Sequence, residues 1–160
     1  MLPLLLVSVA LADAPLDGTW ALETDLAEVR AVQKAATDRA LVSLPSLLRP
    51  IADHLLAPTY RVCATYTLAR TATFSVQCES NAPIASPLDN QTRTVEVAGE
   101  PRQVSLQADG DAVVLTIHDD HGARTTRYAP SATGLHVSVS VTSSHLDAPI
   151  AWDLDYRAVP

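Results

Sequence analysis

Basic and aromatic residues are scarce in this chain of 160 residues. It has 11 Lys and Arg against 18 Asp and Glu, a formal net charge of −7, and only 4% aromatic residues. A negative balance repels phosphate backbones and anionic lipid surfaces. Because nucleic-acid sites need a basic stripe or stacking aromatics, the composition argues against a nucleic acid as partner.

Recognisable catalytic motifs are also absent. The chain has no G-x-S-x-G, no H-E-x-x-H, no phosphate-cradling glycine loop and no evident pair of acid/base carboxylates. His118-Asp119-Asp120-His121 is the one local group of metal-binding residue types, and its place between two predicted strands indicates a solvated turn. We therefore expect a protein that is not an enzyme and that carries no metal or other cofactor.

No apolar run in the chain is long enough to span a bilayer, which takes roughly 20 residues. Residues 1–12 are apolar and end in Ala10-Leu11-Ala12, the A-x-A pattern typical of signal peptidase cleavage, although no Lys or Arg precedes them. We predict a signal peptide over 1–12 and export to the periplasm or the extracellular space. The rest, 13–160, is predicted to be a single domain without stable membrane insertion.

The segment 25–57 is predicted to be helical and follows a short opening strand at Gly18-Thr19-Trp20. Asp25 and Ser46 stand where helix N-caps belong, and Pro45 separates the two amphipathic stretches. This pattern indicates a helix-turn-helix. Its helices either pack on a sheet or form a lid over the mouth of a cavity.

From residue 59 onward, short stretches of alternating apolar and polar residues are separated by turn residues. Strands in such close succession pair antiparallel, and the last can meet the strand around Trp20. The predicted fold is mainly β: an antiparallel up-and-down β-barrel or strongly curved sheet of about 8 to 10 strands, with the helix-turn-helix inserted after the first strand. Segment 80–90 is either a loop or a short irregular edge strand. The predicted strands are 59–68, 73–79, 91–97, 102–107, 111–118, 123–129, 135–142 and 150–157.

Cys63 and Cys78 are the only cysteines, and two cysteines in an exported chain suggest a disulfide. A two-residue turn at Arg70-Thr71 places them directly opposite each other on consecutive strands. Alternation argues the other way, because it puts Cys63 on the face opposite Cys78 unless a bulge intervenes. The disulfide is favoured, and two separate buried or reduced thiols are the alternative.

The order of strand, helix-turn-helix and closing meander resembles the calycin superfamily, which includes the lipocalins, and most of all its fatty-acid-binding-protein branch. Gly18-Thr19-Trp20 matches the family's opening G-x-W, and Asp120-His121-Gly122-Ala123-Arg124-Thr125-Thr126 resembles its hairpin of Asp, Gly and paired Thr. The resemblance implies a barrel around a lipid, with structural roles for Gly18 and Trp20. Leu154-Asp155-Tyr156 replaces the family's Arg-x-Tyr carboxylate clamp, so no fatty-acid headgroup site is implied there.

Six residues are candidates for contact with a ligand. Arg93 and Arg102 share strand parity with apolar neighbours, so either can project toward the apolar side and pair with an anionic ligand. The alternative places each guanidinium at a strand end, reaching into water. The full set of candidates is Arg93, Arg102, Arg127, Tyr128, Tyr66 and Leu55.

The element order and the lack of catalytic motifs lead to two main hypotheses for the function. The first is an exported binding protein that holds a small apolar or amphipathic, lipid-like molecule inside the barrel, chiefly by burying its apolar surface. The second is a non-enzymatic envelope structural or interaction module with a packed barrel interior and an unidentified protein partner. A hydrolase or isomerase site assembled from distant residues is a weaker third hypothesis.

Overall fold

The computed structural model describes residues 16–160, and this part of the chain forms ten strands of one antiparallel sheet. The predicted signal peptide over 1–12 lies outside the described residues. The strands are β1 (Gly18–Leu22), β2 (Thr65–Arg70), β3 (Phe74–Cys78), β4 (Ile84–Ser86), β5 (Arg93–Val97), β6 (Glu100–Asp109), β7 (Ala112–His118), β8 (Gly122–Pro130), β9 (Leu135–Ser143) and β10 (Ile150–Ala158).

The sheet curls into a nearly closed barrel. Its strands follow in the order β4-β3-β2-β1-β10-β9-β8-β7-β6-β5, so the first and last strands are neighbours, with Trp20 opposite Ala158. β4 and β5 are the two edges, and an isolated bridge between Asp89 and Gln107 ties the connection between them to β6. The predicted mainly β fold, with the last strand meeting the first, is confirmed.

The core lies inside the barrel and is built from one face of each long strand. In the β9–β10 pair, Trp152 lies opposite Val139 and Leu154 opposite Val137, and these side chains are buried while the residues between them point outward. Burying one such Leu or Val side chain stabilises the fold by about 1.5–3 kcal/mol. The alternation read from the sequence therefore sets both the face and the register of these strands.

Gly18 and Trp20 lie in β1 at the start of the barrel. The indole Nε1 of Trp20 donates a hydrogen bond to the Leu16 carbonyl oxygen at 3.1 Å, and the Trp20 ring belongs to the core. Gly18 has a φ of 139°, a backbone conformation that residues with a Cβ rarely adopt.

Two helices follow β1. Asp25 caps the first of them, its carboxylate accepting a hydrogen bond from the Ala27 amide at 2.7 Å, as the sequence predicts. This helix packs against β10. Neither helix within residues 16–160 has the length and apolar character that crossing a bilayer requires. The helices are α1 (Leu26–Ala40) and α2 (Arg49–Leu56), with 3-10 turns at Leu41–Ser43 and Ala57–Tyr60.

α2 differs from the prediction in its start and its orientation. Ser46 does not cap it, because the helix begins at Arg49, with Leu48 at the N-cap and no side-chain hydrogen bond there. The apolar stripe of α2 faces solvent, and of that stripe Leu56 packs against the core. Ile51 and Leu55 of the helix are exposed, as are Leu47 and Leu48 in the turn that precedes it.

β2 and β4 are both shorter than the segments 59–68 and 80–90 of the prediction. The strand predicted over 59–68 starts only at Thr65, because the 3-10 turn Ala57–Tyr60 and an irregular segment precede it. Segment 80–90 contains the short edge strand β4, which is one of the two predicted alternatives.

Cys63 and Cys78 form the favoured disulfide, with their Cα atoms 5.4 Å apart. Their predicted opposition on paired strands is wrong, because Tyr66 lies opposite Cys78 and Cys63 precedes β2. The two-residue turn is also wrong, since the ladder of β2 and β3 ends with Arg70 opposite Phe74. Outside the ladder, Cys63 is not oriented by strand alternation, so the bond forms without a bulge.

Removing the disulfide is expected to lower the free energy of unfolding by about 3 kcal/mol, the chain-entropy value for a closed loop of this length. Urea denaturation of the variant Cys63→Ala/Cys78→Ala against the wild type measures the loss. The reduced wild type serves as the control and should match the variant. A denaturation midpoint that does not respond to reductant would contradict this prediction.

Candidate functional site

The barrel contains a cavity of about 100 Å³. It lies between β2, β3, β7 and β8 and reaches the edge strands, where Ile84 and Val97 line it. Most of the lining is apolar and includes Val76, Leu115 and Ile117. The lining contains no residue of α1 or α2, so in the described part of the chain the helices do not cover this cavity.

Three tyrosines fill the barrel beside the cavity. The ring of Tyr66 meets that of Tyr128 edge to face, with centroids 5.3 Å apart, and lies 5.2 Å from the ring of Tyr156. The Tyr156 hydroxyl donates a hydrogen bond to the Cys63 carbonyl oxygen at 2.9 Å. All three side chains are buried, and ring pairs of this kind stabilise a core beyond their buried area.

Arg124 is the charged side chain that β8 directs into the barrel. It shares its face of β8 with Thr126 and Tyr128 and lines the cavity with them. Its Nη2 donates a hydrogen bond to the Arg61 carbonyl oxygen at 3.0 Å, whereas its Nε is buried without a hydrogen-bond partner. No carboxylate within residues 16–160 forms an ion pair with Arg124.

The sequence analysis missed Arg124 and selected Arg127 instead. Arg127 and Tyr128 are adjacent in one strand, so they point to opposite faces. On the outer face, Arg127 Nε donates to the Asp109 carboxylate at 2.8 Å. Arg124 is separated from Thr126 and Tyr128 by even numbers of residues, so all three share one face of the strand. This spacing is the feature of the sequence that identifies Arg124 as the inward arginine.

The other two arginine candidates also have surface partners. Arg93 lies on the inward-facing side of β5, but its two terminal nitrogens donate to the Asp89 carboxylate at 2.7 and 2.6 Å. These hydrogen bonds hold the pKa of Asp89 at about 2. Arg102 pairs with Glu100 at the surface.

The cavity lining includes two of the six predicted ligand contacts, Tyr66 and Tyr128. Leu55 is 71% exposed on α2. Whether these two tyrosines touch a ligand stays a prediction. The four candidates outside the lining are Arg93, Arg102, Arg127 and Leu55.

Burial raises the pKa of each of the three core tyrosines, and the nearby charge of Arg124 offsets the rise only in part. An unfolded chain ionises its tyrosines near pH 10, while the buried rings Tyr66, Tyr128 and Tyr156 stay protonated. The unfolded state therefore loses protons first as the pH rises. Stability contributed by these groups is complete below about pH 10 and is lost above it.

We expect the free energy of unfolding to fall above about pH 10, by about 1.4 kcal/mol per pH unit for each buried tyrosine. Urea unfolding curves collected between roughly pH 9 and pH 12 measure the slope. In Tyr66→Phe the slope should be smaller by one tyrosine's share, since that ring can no longer ionise. An equal slope in wild type and variant would contradict the assignment.

Residues 119–121 form the turn between β7 and β8, and His118 is the last residue of β7. The Asp119 carboxylate accepts a hydrogen bond from the His121 amide at 2.8 Å, and His118 Nε2 lies 3.4 Å from the Ser105 hydroxyl. Across residues 16–160, no three His, Cys, Asp or Glu side chains are grouped so as to hold a metal ion.

No protein-family model matches the chain, and no curated protein matches it either. Solved structures do match. A secretory abundant heat soluble protein from Ramazzottius varieornatus has a TM-score of 0.59 at 11% identity, over 92% of this chain and 98% of its own. The zebrafish ileal bile acid-binding protein complexed with cholic acid gives 0.51 at 14% identity, over 91% and 99%. Lipid binding protein 8 of Caenorhabditis elegans gives 0.53 at 9% identity, over 94% and 100%.

These likenesses define the class of fold. The chain is a calycin-like barrel, similar in strand order and helical insertion to structures described as lipid-binding or bile acid-binding proteins. The resemblance predicted from the element order is therefore confirmed for the fold. At sequence identities of 9% to 14%, these similarities establish the fold and no further property of the chain.

Proposed function

We propose that the barrel binds a small anionic amphipathic molecule, with its charged group against Arg124 and its apolar part in the cavity. The observation that carries the proposal is an inward arginine in an apolar cavity, with a buried Nε that lacks a hydrogen-bond partner. Arg124 is partly buried, and a partly buried cation is stabilised by pairing with an anion. A carboxylate or similar anion would pair with it, because the planar guanidinium fork matches two oxygens.

The volume of the cavity limits the size of the ligand. About 100 Å³ holds several waters, since one water needs roughly 10–15 Å³. It is smaller than the roughly 300–1,000 Å³ of pockets that take drug-sized ligands. A short acyl chain or a single ring fits this size class, and a long acyl chain does not.

The named ligands and functions of similar structures support a binding role without identifying the ligand. One of them is described as a fatty acid transporter, and another is complexed with cholic acid. We carry over to this chain only the class of a small, partly apolar ligand. The proposed function is binding, without catalysis or a cofactor.

Isothermal titration with two pairs of matched compounds tests the proposal. Hexanoate and benzoate are expected to bind with a dissociation constant below about 1 mM. Hexanamide and benzamide have nearly the same shape without the charge, so they are expected to bind more weakly. Absence of heat with all four compounds, together with no lipid in an organic extract of the purified protein, would contradict a binding function.

A second candidate is an interaction module, favoured by the exposed apolar surface of α2 and of the turn that precedes it. Leu47, Leu48, Ile51 and Leu55 are between 49% and 86% exposed, and contiguous apolar surface of this kind marks interaction sites. Substituting Leu47 and Leu55 by Ser leaves hexanoate binding unchanged if the barrel carries the function. Loss of a partner from pull-downs with that variant, without any ligand bound by the wild type, would favour the module.

Export to the periplasm or the extracellular space belongs to the same proposal. It is supported by the disulfide between Cys63 and Cys78, because disulfides persist in oxidising compartments. It is also supported by the A-x-A pattern at Ala10-Leu11-Ala12. N-terminal sequencing of the mature protein should begin at Asp13, and a mature protein that retains 1–12 would contradict the signal peptide.

A further inference from the structure

The disulfide between Cys63 and Cys78 lies in the wall of the inner cavity, since both cysteines line it. Cys78 is the last residue of β3. Cys63 belongs to the segment 61–63, an irregular stretch between the 3-10 turn Ala57–Tyr60 and β2. The disulfide therefore fastens an irregular part of the cavity wall to a strand of the barrel.

Backbone pairing with the sheet does not extend into the segment 61–63. It begins one residue later, where the Ala64 carbonyl oxygen accepts a hydrogen bond from the Leu22 amide at 2.9 Å. For residues 61–63 themselves, no backbone-to-backbone hydrogen bond to a strand occurs in the described part of the chain. Their position therefore depends on the disulfide and on hydrogen bonds from side chains.

Two side chains of the barrel donate hydrogen bonds to this segment. Tyr156 donates to the Cys63 carbonyl oxygen at 2.9 Å, and Arg124 Nη2 donates to the Arg61 carbonyl oxygen at 3.0 Å. Between residues 16 and 160, the bond to Arg61 is the one hydrogen bond that the Arg124 side chain makes. The Arg61 carbonyl, two residues from the disulfide, therefore fixes the guanidinium in the cavity.

A guanidinium that is fixed in advance binds an anion more tightly than a mobile one. An arginine side chain that is free to change rotamer loses this freedom when it pairs with a ligand, and the loss weakens binding. With the disulfide closed, part of this ordering is complete before a ligand arrives. The disulfide thereby affects the affinity for an anion as well as the stability of the fold.

We infer that the Cys63–Cys78 disulfide positions the Arg124 guanidinium and that its reduction releases the bound anion. The inference rests on the proposed binding function and adds the regulation of the same site. In the oxidised form, the Arg61 carbonyl is held against Arg124. In the reduced form, the segment 61–63 loses its link to β3, so the guanidinium is no longer fixed and an anion binds more weakly.

A dithiol is the class of reductant that opens this bond. One of its thiolates attacks a sulfur of the disulfide and expels the other cysteine as a thiolate, and its second thiol then displaces the first cysteine. Two electrons and two protons pass to the protein, which gains two thiols, while the dithiol becomes a cyclic disulfide. Cys78 is less buried than Cys63, so Cys78 is the sulfur that is attacked.

Amide NMR titrations with hexanoate and hexanamide, on the oxidised and the dithiol-reduced wild type, test the inference. Reduction should weaken the binding of hexanoate about tenfold, because the arginine must then be ordered by the ligand. Hexanamide brings no charge to Arg124, so its affinity should change by less than about twofold. The dispersion of the amide signals shows whether the reduced protein is folded, and sucrose favours the folded state in both forms.

Tyr156→Phe tests the same positioning with the disulfide intact. It removes the hydroxyl that donates to the Cys63 oxygen, so hexanoate should bind about threefold more weakly and hexanamide as in the wild type. Tyr60→Phe is the matched control. Its hydroxyl is bonded to Thr37 of α1 instead of to the segment 61–63, so both affinities should stay at the wild-type values.

Equal affinities for hexanoate in the folded oxidised and reduced forms would overturn the inference and leave the binding function standing. Equal losses for hexanoate and hexanamide would also overturn it, because reduction would then reshape the cavity as a whole. If the reduced protein unfolds, Tyr156→Phe decides: a loss confined to hexanoate supports the inference, and wild-type affinity overturns it. Failure of the oxidised wild type to bind either compound overturns the inference and the binding function together.

Discussion

Replacing Arg124 by Met is expected to weaken the binding of hexanoate about 30-fold. Hydrogen bonds to a charged group contribute about 1.5–3 kcal/mol, which corresponds to roughly 10- to 150-fold in affinity. Met keeps much of the apolar length of the arginine stem, so the cavity keeps its shape. Binding of hexanamide should change little, because that compound brings no charge to the site. Isothermal titration of both compounds measures the difference.

Arg127→Met is the matched control for this experiment. It makes the same chemical change three residues along the same strand, on the outer face, where Arg127 pairs with Asp109. Surface ion pairs contribute about 0–1 kcal/mol, and this one is remote from the cavity lining. Hexanoate affinity should therefore stay at the wild-type value. Equal affinities in wild type and Arg124→Met, or equal losses in both variants, would contradict the assignment of Arg124.

Replacing Tyr66 by Ala is expected to lower the free energy of unfolding by about 4 kcal/mol. Its ring contacts both Tyr128 and Tyr156, and Tyr66 is 4% exposed. Truncation removes both ring pairs and leaves a void beside the cavity. Urea denaturation at neutral pH measures the change.

Tyr66→Phe separates the ring from the hydroxyl in the same experiment. It keeps both ring contacts, so its loss should stay below about 1.5 kcal/mol, the net value of a typical hydrogen bond. Because Tyr66 lines the cavity, the alanine variant should also accept a longer carboxylate such as decanoate. A loss below about 1 kcal/mol in Tyr66→Ala would mean that the tyrosines do not form a tightly packed group.

The closure of the barrel could be predicted because alternation constrains long strands such as β9 and β10. Leu135, Val137, Val139 and Val141 can bury together only on one face, and short turns leave antiparallel neighbours as the only arrangement. Pairing of the last strand with that of Trp20 then follows from the need to cover sheet edges. Alternation and short turns are local patterns, and the closed antiparallel barrel is the arrangement that satisfies all of them.

The site was harder to predict, because alternation also decides which arginines point into the barrel. Adjacent strand residues point to opposite faces, so the choice between Arg124 and Arg127 depends on parity alone, and the sequence analysis chose the outer one. Arg93 has the correct parity, but its partner Asp89 lies in a connection whose path no pattern specifies. Arg61 lies in an irregular segment, where alternation carries no information.

The helices show a second limit. The stripe of α2 predicts amphipathicity, but its direction depends on what the helix packs against. Here α1 packs on β10, while α2 contacts the two 3-10 turns. The outward face of Leu47 and Leu55 is therefore a tertiary property. The volume of the cavity is another, since it depends on how three tyrosines fill the space.

A crystal structure of the protein with hexanoate tests the central claim most directly. The account predicts the carboxylate within hydrogen-bond distance of the Arg124 guanidinium, with the acyl chain against Val76 and Leu115. It also predicts that Tyr66 and Tyr128 flank the ligand. A ligand bound on the outer surface, with the cavity unchanged and Arg124 still unpaired, would contradict it.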